Sequence, residues 1–215
     1  YEKIYARIQD TVAAGSLLKR LIFHWAFEVG REAVGLLYED KPVTGWLGFK
    51  YGVAKRLVFD KILARTGGRI RFACSGGAPL SAKLMEFFWI IGLPILEGYG
   101  LTETSPVICV NMPGAVGPGT VGHPLYDLWE GRPFMKIAED GEVLCQGPNV
   151  MRGYWNNPQA TAEAIDADGY FHTGDIGEID SNGFVKITDR KKDLVKTSNG
   201  KYVAPSLIET AFKGL

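Results

Sequence analysis

The stretch Glu97-Gly98-Tyr99-Gly100-Leu101-Thr102-Glu103-Thr104 gathers the groups best suited to chemistry in this chain. The two glycines, Gly98 and Gly100, let a ligand come close to the backbone. Tyr99 between them offers a flat face to a ring. Thr102 can donate to a phosphate oxygen, and Glu103 is a hard oxygen ligand suited to Mg²⁺. Ring, phosphate and metal together describe a nucleotide. An ordinary Gly-Tyr-Gly turn at a strand end is the plainer reading of the same octet, because short motifs have false positives.

A second loop, Ser75-Gly76-Gly77-Ala78-Pro79-Leu80, follows the strand-like Arg69–Cys74 and precedes a helical pattern whose cap is Ser81. Strand, glycine loop and helix together present backbone N–H groups to an anion. In an α/β sheet, two such loops after adjacent strands meet at one edge, where ligands bind. Gly117-Pro118-Gly119-Thr120-Val121-Gly122 also matches a dinucleotide pattern literally. No clear strand precedes it and His123-Pro124 follows, so it reads as a loop or bend.

The elements that must position these loops can be read in order. Leu17, Leu18, Leu21, Ile22, Trp25 and Val29 recur at helical spacing, and residues 1–65 read as helical with a loop over Pro42–Gly48. A second helix spans Lys55–Arg65 and stops at Gly67-Gly68. The apolar run Trp89–Leu96 reads as a buried strand. From Val121 to Asp189 short strands alternate with turns: a hairpin about Glu139-Asp140-Gly141, a short helix opened by Asn157-Pro158, and a turn at Asp180-Ser181-Asn182-Gly183. This pattern predicts a small β-barrel or sandwich. The charged run Asp189-Arg190-Lys191-Lys192-Asp193 and a helix opened by Pro205 close the chain.

Composition narrows the function. Lys plus Arg and Asp plus Glu number 24 each among 215 residues, so net charge is zero. That argues against a nucleic-acid binder held by bulk charge. Cys74, Cys109 and Cys145 are sparse and widely spaced, which fits free thiols better than disulfides or a metal site. Phe87–Leu96 is too short to span a bilayer. His24, His123 and His172 read as structural or exposed. The absence of an initiating Met and an end just after a helical start suggest an internal fragment.

Five stretches then line up: Ser75–Leu80, Gly98–Thr104, Gly141–Pro158 (with Gly147-Pro148-Asn149-Val150-Met151-Arg152-Gly153-Tyr154-Trp155), Tyr170–Gly177 and Phe184–Pro205. In this order they resemble the AMP-forming acyl-adenylate synthetase superfamily. Tyr1–Tyr5, Gly67–Arg71 and Lys196-Thr197-Ser198-Asn199-Gly200-Lys201 are most similar to bacterial long-chain fatty acid–CoA ligases. The resemblance implies an α/β fold with three parts. Residues 1–115 would be a parallel-sheet α/β subdomain of the AMP-binding domain, 116–188 a β-barrel subdomain, and 189–215 the hinge, at Asp189, and start of a mobile C-terminal domain.

It also implies roles. Gly76, Gly77 and Ala78 would line an adenine pocket with Gly98, Gly100 and the ring of Tyr99. Thr102 would hold phosphate oxygens and Glu103 would bind Mg²⁺. Asp175 would accept both ribose hydroxyls, Arg190 would reach the nucleotide, Lys196 would contact AMP, and Gly200-Lys201 would lie near coenzyme A. Thr102, Glu103 and Arg190 are the expected catalytic residues. The implied reaction joins a fatty acid to AMP from Mg·ATP, releasing pyrophosphate, and passes the acyl group to coenzyme A. Gly100 and the Trp89–Leu96 run would then wall an acyl tunnel. The expected setting is cytoplasmic, with at most peripheral membrane association, no nucleic acid, and a homodimer as the candidate assembly. The superfamily's phosphate loop and C-terminal catalytic lysine fall outside 1–215, so the fragment alone is not expected to turn over. The rival readings are an aryl–CoA ligase or peptide-synthetase adenylation domain, and a non-catalytic nucleotide-binding module. Tyr126–Pro133 departs from the pattern without an account.

Overall fold

A computed structural model of the chain describes residues 1–126 and 131–191, together with the backbone of strands at 195–196 and 202–203. Contacts divide the chain into two compact units. The first comprises Tyr1–Ser75, Leu80–Leu96 and Met112–Pro118. The second comprises Gly76–Pro79, Glu97–Asn111 and Gly119–Leu215.

The first unit is mainly helical: α1 (Glu2–Ala13), α2 (Leu17–Tyr38), α3 (Gly45–Ala54), a π turn (Lys55–Phe59), α4 (Asp60–Ala64) and α5 (Ala82–Ile90), with strand β1 (Ala73–Ser75) between α4 and α5. Ser81 caps α5 as expected, its Oγ accepting the Leu84 N–H at 3.2 Å. The core lies where α2 and α5 meet, around Ala26, Phe27, Phe59, Met85, Phe88 and Ile90. The Phe27 and Phe87 rings stack with centroids 4.9 Å apart. Gly30 permits this approach: a Cβ there would lie 2.3 Å from Ile90 Cγ2. Phe88 is fully buried. Phe88→Ala is therefore expected to cost about 3–5 kcal/mol of stability. A denaturant titration of wild type and variant measures it, and a loss near zero would put Phe88 outside the core.

Two expectations change here. Helix begins at Gly45, inside the stretch read as loop, and it runs through the π turn to Ala64. The Trp89–Leu96 run is not one strand. Trp89 and Ile90 end α5, Gly92 turns with φ +86°, and β2 starts only at Ile95. The last turn of α5, Phe87–Ile90, is buried throughout, and an apolar run of that kind does not distinguish helix from strand by periodicity.

β2 (Ile95–Gly100) leads the chain into the second unit. There it pairs antiparallel with β3 (Val107–Val110), which pairs antiparallel with β4 (His123–Pro124). The sequence reading expects a parallel sheet; in the sheet ordered β1-β2-β3-β4 these two ladders are antiparallel, because the turn after β2 folds the chain straight back as β3. A second sheet has the order β5-β6-β7-β8, all antiparallel: β5 (Met135–Ile137), β6 (Glu142–Cys145), β7 (Phe171–Ile179) and β8 (Val185–Arg190). The hairpin about Asp140-Gly141 and the turn before β8 fall where the sequence puts them. The strand spacing suggests a small barrel or sandwich; the described residues give this four-stranded antiparallel sheet, which shares a core with β3 through Ile108, Cys109, Met135, Val143, Cys145 and Val185.

α6 (Pro158–Ala164) is capped by Asn157, whose Oδ1 accepts the Ala160 N–H at 3.1 Å. Gly117–Gly122 is a loop that ends against β8: Val121 N–H donates to Val185 O, and Val185 N–H to Gly122 O, both at 2.8 Å. Tyr126 bridges to Pro133 at the two ends of the unexplained stretch. Its residues 127–130 lie outside the described part. So do 197–201 and the expected helix at Pro205. β9 (Val195–Lys196) and β10 (Tyr202–Val203) pair antiparallel. No helix among the described residues is long and apolar enough to cross a membrane.

Candidate nucleotide-binding site

The site is built from the outer end of β2. Ile95, Leu96 and Glu97 are buried, and the strand then emerges as Gly98-Tyr99-Gly100. Its ladder to β3 pairs Gly98 with Val110, Tyr99 with Cys109 and Gly100 with Val107, with a bulge between Tyr99 and Gly100. Bulges sharpen local twist and re-aim side chains beside functional sites. Here the bulge lays the Pro106 carbonyl on Gly100, with the Leu101 N–H donating to Pro106 O at 3.0 Å.

A Cβ on Gly100 would lie 1.7 Å from that carbonyl oxygen. The side of Gly100 that was expected to face an acyl tunnel is therefore filled by backbone. The partner is backbone, so Gly100→Ala is expected to displace the 101–106 turn and abolish nucleotide binding. Calorimetric titration with AMP checks this, and unchanged affinity would contradict it. Trp89, the other expected tunnel residue, is 6% exposed and donates its indole N–H to Ile95 O at 3.0 Å. It is core.

Beyond Gly100 the chain makes a short 3₁₀ turn, Thr102–Thr104. Thr104 is fully buried and pins this turn: its Oγ1 accepts the Leu101 N–H at 3.0 Å and lies 3.0 Å from Leu101 O and 2.5 Å from Pro106 O. Thr102 is exposed and Glu103 half-buried. The loop Gly76-Gly77-Ala78 is exposed beside the strand end, with the Cβ position of Gly76 3.4 Å from Gly98 O.

β7 supplies the acid. Asp175 is 5% exposed and sits directly across the ladder from Arg190 of β8. The Tyr99 hydroxyl donates to Asp175 Oδ2 at 2.7 Å, and Arg190 Nε lies 3.3 Å from Oδ1. Burial, with Asp175 alongside, pushes the Tyr99 phenol well above its ordinary value and keeps it a proton donor. Its ring also rests against the core around Ile108 and Cys109, which fixes the ring plane. Two residues expected from the sequence to serve one ligand, 76 positions apart, are thus in direct contact.

Sequence reasoning missed the supports. Glu142, 4% exposed, accepts the Gly174 N–H at 2.9 Å and meets Lys191 Nζ at 2.8 Å and His172 Nδ1 at 3.1 Å. Burial raises its pKa, but Lys191, His172 and the Gly174 N–H together outweigh that and hold it below the usual carboxylate value. This network fixes the Gly174 turn that presents Asp175. It also gives His172 a structural place. Asn149 Nδ2 donates to Thr104 O at 3.1 Å, the Met151 N–H to Glu103 O at 2.7 Å, and the Tyr154 hydroxyl to Glu103 Oε1 at 3.0 Å. Only the resemblance of Gly147–Trp155 to a motif drew attention to that loop; nothing in spacing linked it to Glu103. Lys196 lies on β9, with its side chain outside the described part.

No group of three or more His, Cys, Asp or Glu suited to a metal exists among the described residues. Mg²⁺ does not need one, since it commonly takes one or two carboxylates and completes its shell with phosphates and water. Glu103, half-buried with Oε1 already oriented, fits that pattern.

Comparison with known proteins gives the family of the chain. The family model described as "AMP-binding enzyme" matches residues 11–155. A putative fatty-acid–CoA ligase of Mycobacterium tuberculosis is 41% identical over 211 residues, covering 97% of this chain and 36% of the relative. Human long-chain-fatty-acid–CoA ligase 1 is 43% identical over 165 residues, covering 73% and 24%. Among solved structures, an o-succinylbenzoate coenzyme A synthetase of Bacillus subtilis, in complex with ATP and magnesium, is similar at a TM-score of 0.55 and 28% identity, over 71% of this chain and 34% of that one. The chain thus spans roughly a third or less of the length of the curated relatives it matches. With the family model matched over residues 11–155, about two thirds of its length, the chain belongs to the AMP-binding enzyme family.

Proposed function

We propose that the chain carries the nucleotide half-site of a long-chain fatty acid–CoA ligase. The observation that carries this reading is the Tyr99–Asp175 hydrogen bond at 2.7 Å. It ties a ring able to lie along adenine to a carboxylate able to accept ribose hydroxyls. Asp175 has two acceptor oxygens, so it can keep Tyr99 while its Oδ1 exchanges the exposed Arg190 for a sugar hydroxyl. Arg190, 60% exposed at its side chain, is then free to turn toward phosphate. Gly76, Gly77, Ala78 and Gly98 leave the backbone open to the base. Thr102 donates to a phosphate oxygen, and Glu103 would hold Mg²⁺. When bound, that ion neutralises phosphate charge. Asp189, 6% exposed within β8, is the proposed hinge, and Lys196 a further contact to AMP.

The protein's work in the reaction is orientation. A carboxylate must approach the α-phosphate although both are anionic. Fixing the adenosine through Tyr99 and Asp175 places that phosphorus, and Arg190 and Thr102 offset the charge around it. The acyl-adenylate is then the substrate for the thiol of coenzyme A. The named relatives favour a fatty acid as the acid. The likeness to the o-succinylbenzoate enzyme supplies the second reading, an aromatic acid, with the same nucleotide half-site.

The test is acid-dependent exchange of pyrophosphate into ATP by the intact protein, with fatty acids from C8 to C16 set against o-succinylbenzoate. Exchange rising with chain length supports the proposal. Exchange only with the aromatic acid would move it to the second reading, and none with any acid would overturn it.

A further inference from the structure

We infer that Tyr154 is a positioning residue, whose hydroxyl sets the orientation of the Glu103 carboxylate toward the metal that accompanies ATP. The inference rests on the proposed role of Glu103 and goes beyond it by naming the group that makes that carboxylate competent.

Four hydrogen bonds tie the loop 147–154 to the turn that carries Glu103 and to the start of β3. Asn149 Nδ2 donates to Thr104 O at 3.1 Å and to Val107 O at 3.3 Å. The Met151 N–H donates to Glu103 O at 2.7 Å. These two residues hold backbone and would suffice to keep the turn in place. Tyr154 does something different: its hydroxyl donates to the side chain, at Glu103 Oε1, 3.0 Å away. A glutamate on a surface turn has free rotation about its side-chain bonds, and ordering it costs entropy when a ligand binds. One charge-assisted donor on Oε1 removes much of that freedom beforehand. Oε2 then serves as the ligand oxygen, a one-oxygen ligand of the kind Mg²⁺ takes when phosphates and water complete its shell.

Tyr154 itself is well held. Its backbone N–H donates to Thr161 Oγ1 at 2.9 Å, which anchors the loop to the start of α6. Trp155, its neighbour, is 91% exposed and contributes no packing that would explain the loop's close approach to Glu103.

The experiment uses the intact protein with ATP and Mn²⁺ as a spectroscopic stand-in for Mg²⁺. Mn²⁺ binding is followed by electron paramagnetic resonance for wild type, Tyr154→Phe, Glu103→Gln and the double variant. ATP affinity without metal is measured in parallel. Tyr154→Phe keeps the ring and removes only the donor. It is expected to weaken Mn²⁺ binding about 3- to 10-fold, with metal-free ATP affinity unchanged. In the Glu103→Gln background the same change should have no further effect. Wild-type Mn²⁺ affinity in Tyr154→Phe, with Glu103→Gln weakened, would overturn the inference and leave the role of Glu103 standing. An equal loss of metal-free ATP affinity in Tyr154→Phe would also overturn it, because Tyr154 would then merely hold the loop. Wild-type Mn²⁺ affinity in Glu103→Gln would overturn the metal role of Glu103 and this inference with it.

Discussion

Glu103→Gln in the intact enzyme is expected to slow acyl-adenylate formation about 10²- to 10³-fold, the loss that follows removal of one preorganised electrostatic group. Glutamine keeps the size of the side chain, and its amide oxygen can still accept from Tyr154 at the distance seen for Oε1. The Met151 contact is to the backbone carbonyl and is untouched. The fold of the turn should therefore survive, and the loss should be specific to the metal-assisted step. ATP binding should weaken less than turnover, because Tyr99 and Asp175 hold the nucleoside elsewhere. Single-turnover formation of the acyl-adenylate across a Mg²⁺ titration measures this. A rate equal to wild type at limiting Mg²⁺ would contradict the role assigned to Glu103.

Asp175→Asn is the second large effect. The carboxylate has one oxygen on the Tyr99 hydroxyl and the other beside Arg190. Asparagine retains one acceptor, which Tyr99 is placed to occupy. It then turns an NH₂ group toward Arg190 and toward any ribose hydroxyl that would replace it. One charge-assisted acceptor is lost and a donor faces donors. A hydrogen bond to a charged group is worth about 1.5–3 kcal/mol, so AMP affinity should fall about 10- to 100-fold. Calorimetry with AMP checks the magnitude. Asp175 is nearly buried, so a melting curve is needed beside it: a weakened nucleotide site in a protein of unchanged stability is the expected pair of results. Unchanged AMP affinity would remove Asp175 from the site.

Much of the local structure was legible because its signals are short-range. Ser81 and Asn157 cap helices where their side chains predict, and the turns at Asp140-Gly141 and Asp180–Gly183 join strands. The errors came where tertiary packing decides. Trp89 and Ile90 read as strand because the last turn of α5, Phe87–Ile90, is apolar and buried throughout, with no polar residue to mark a helical period. α3 begins with Thr44 making no capping bond and Gly45 at φ +63°, so no start signal marked it. The antiparallel ladder from β2 to β3 depends on the bulge at Gly100 and the left-handed Ser105, neither visible as periodicity. Among site residues, Tyr99, Glu103 and Asp175 were named from type and motif. Tyr154, Asn149 and Glu142 were not, because each acts through a partner distant in sequence.

The most direct test of the central claim, that Tyr99 and Asp175 frame an adenosine site, is photo-crosslinking of the intact protein with 2-azido-AMP, followed by peptide mapping. The account predicts label on the peptides containing Gly76–Ala78 and Tyr99, competed away by ATP and lost in Asp175→Asn. Label confined to other peptides, and still competed by ATP, would place the nucleotide elsewhere and contradict the account.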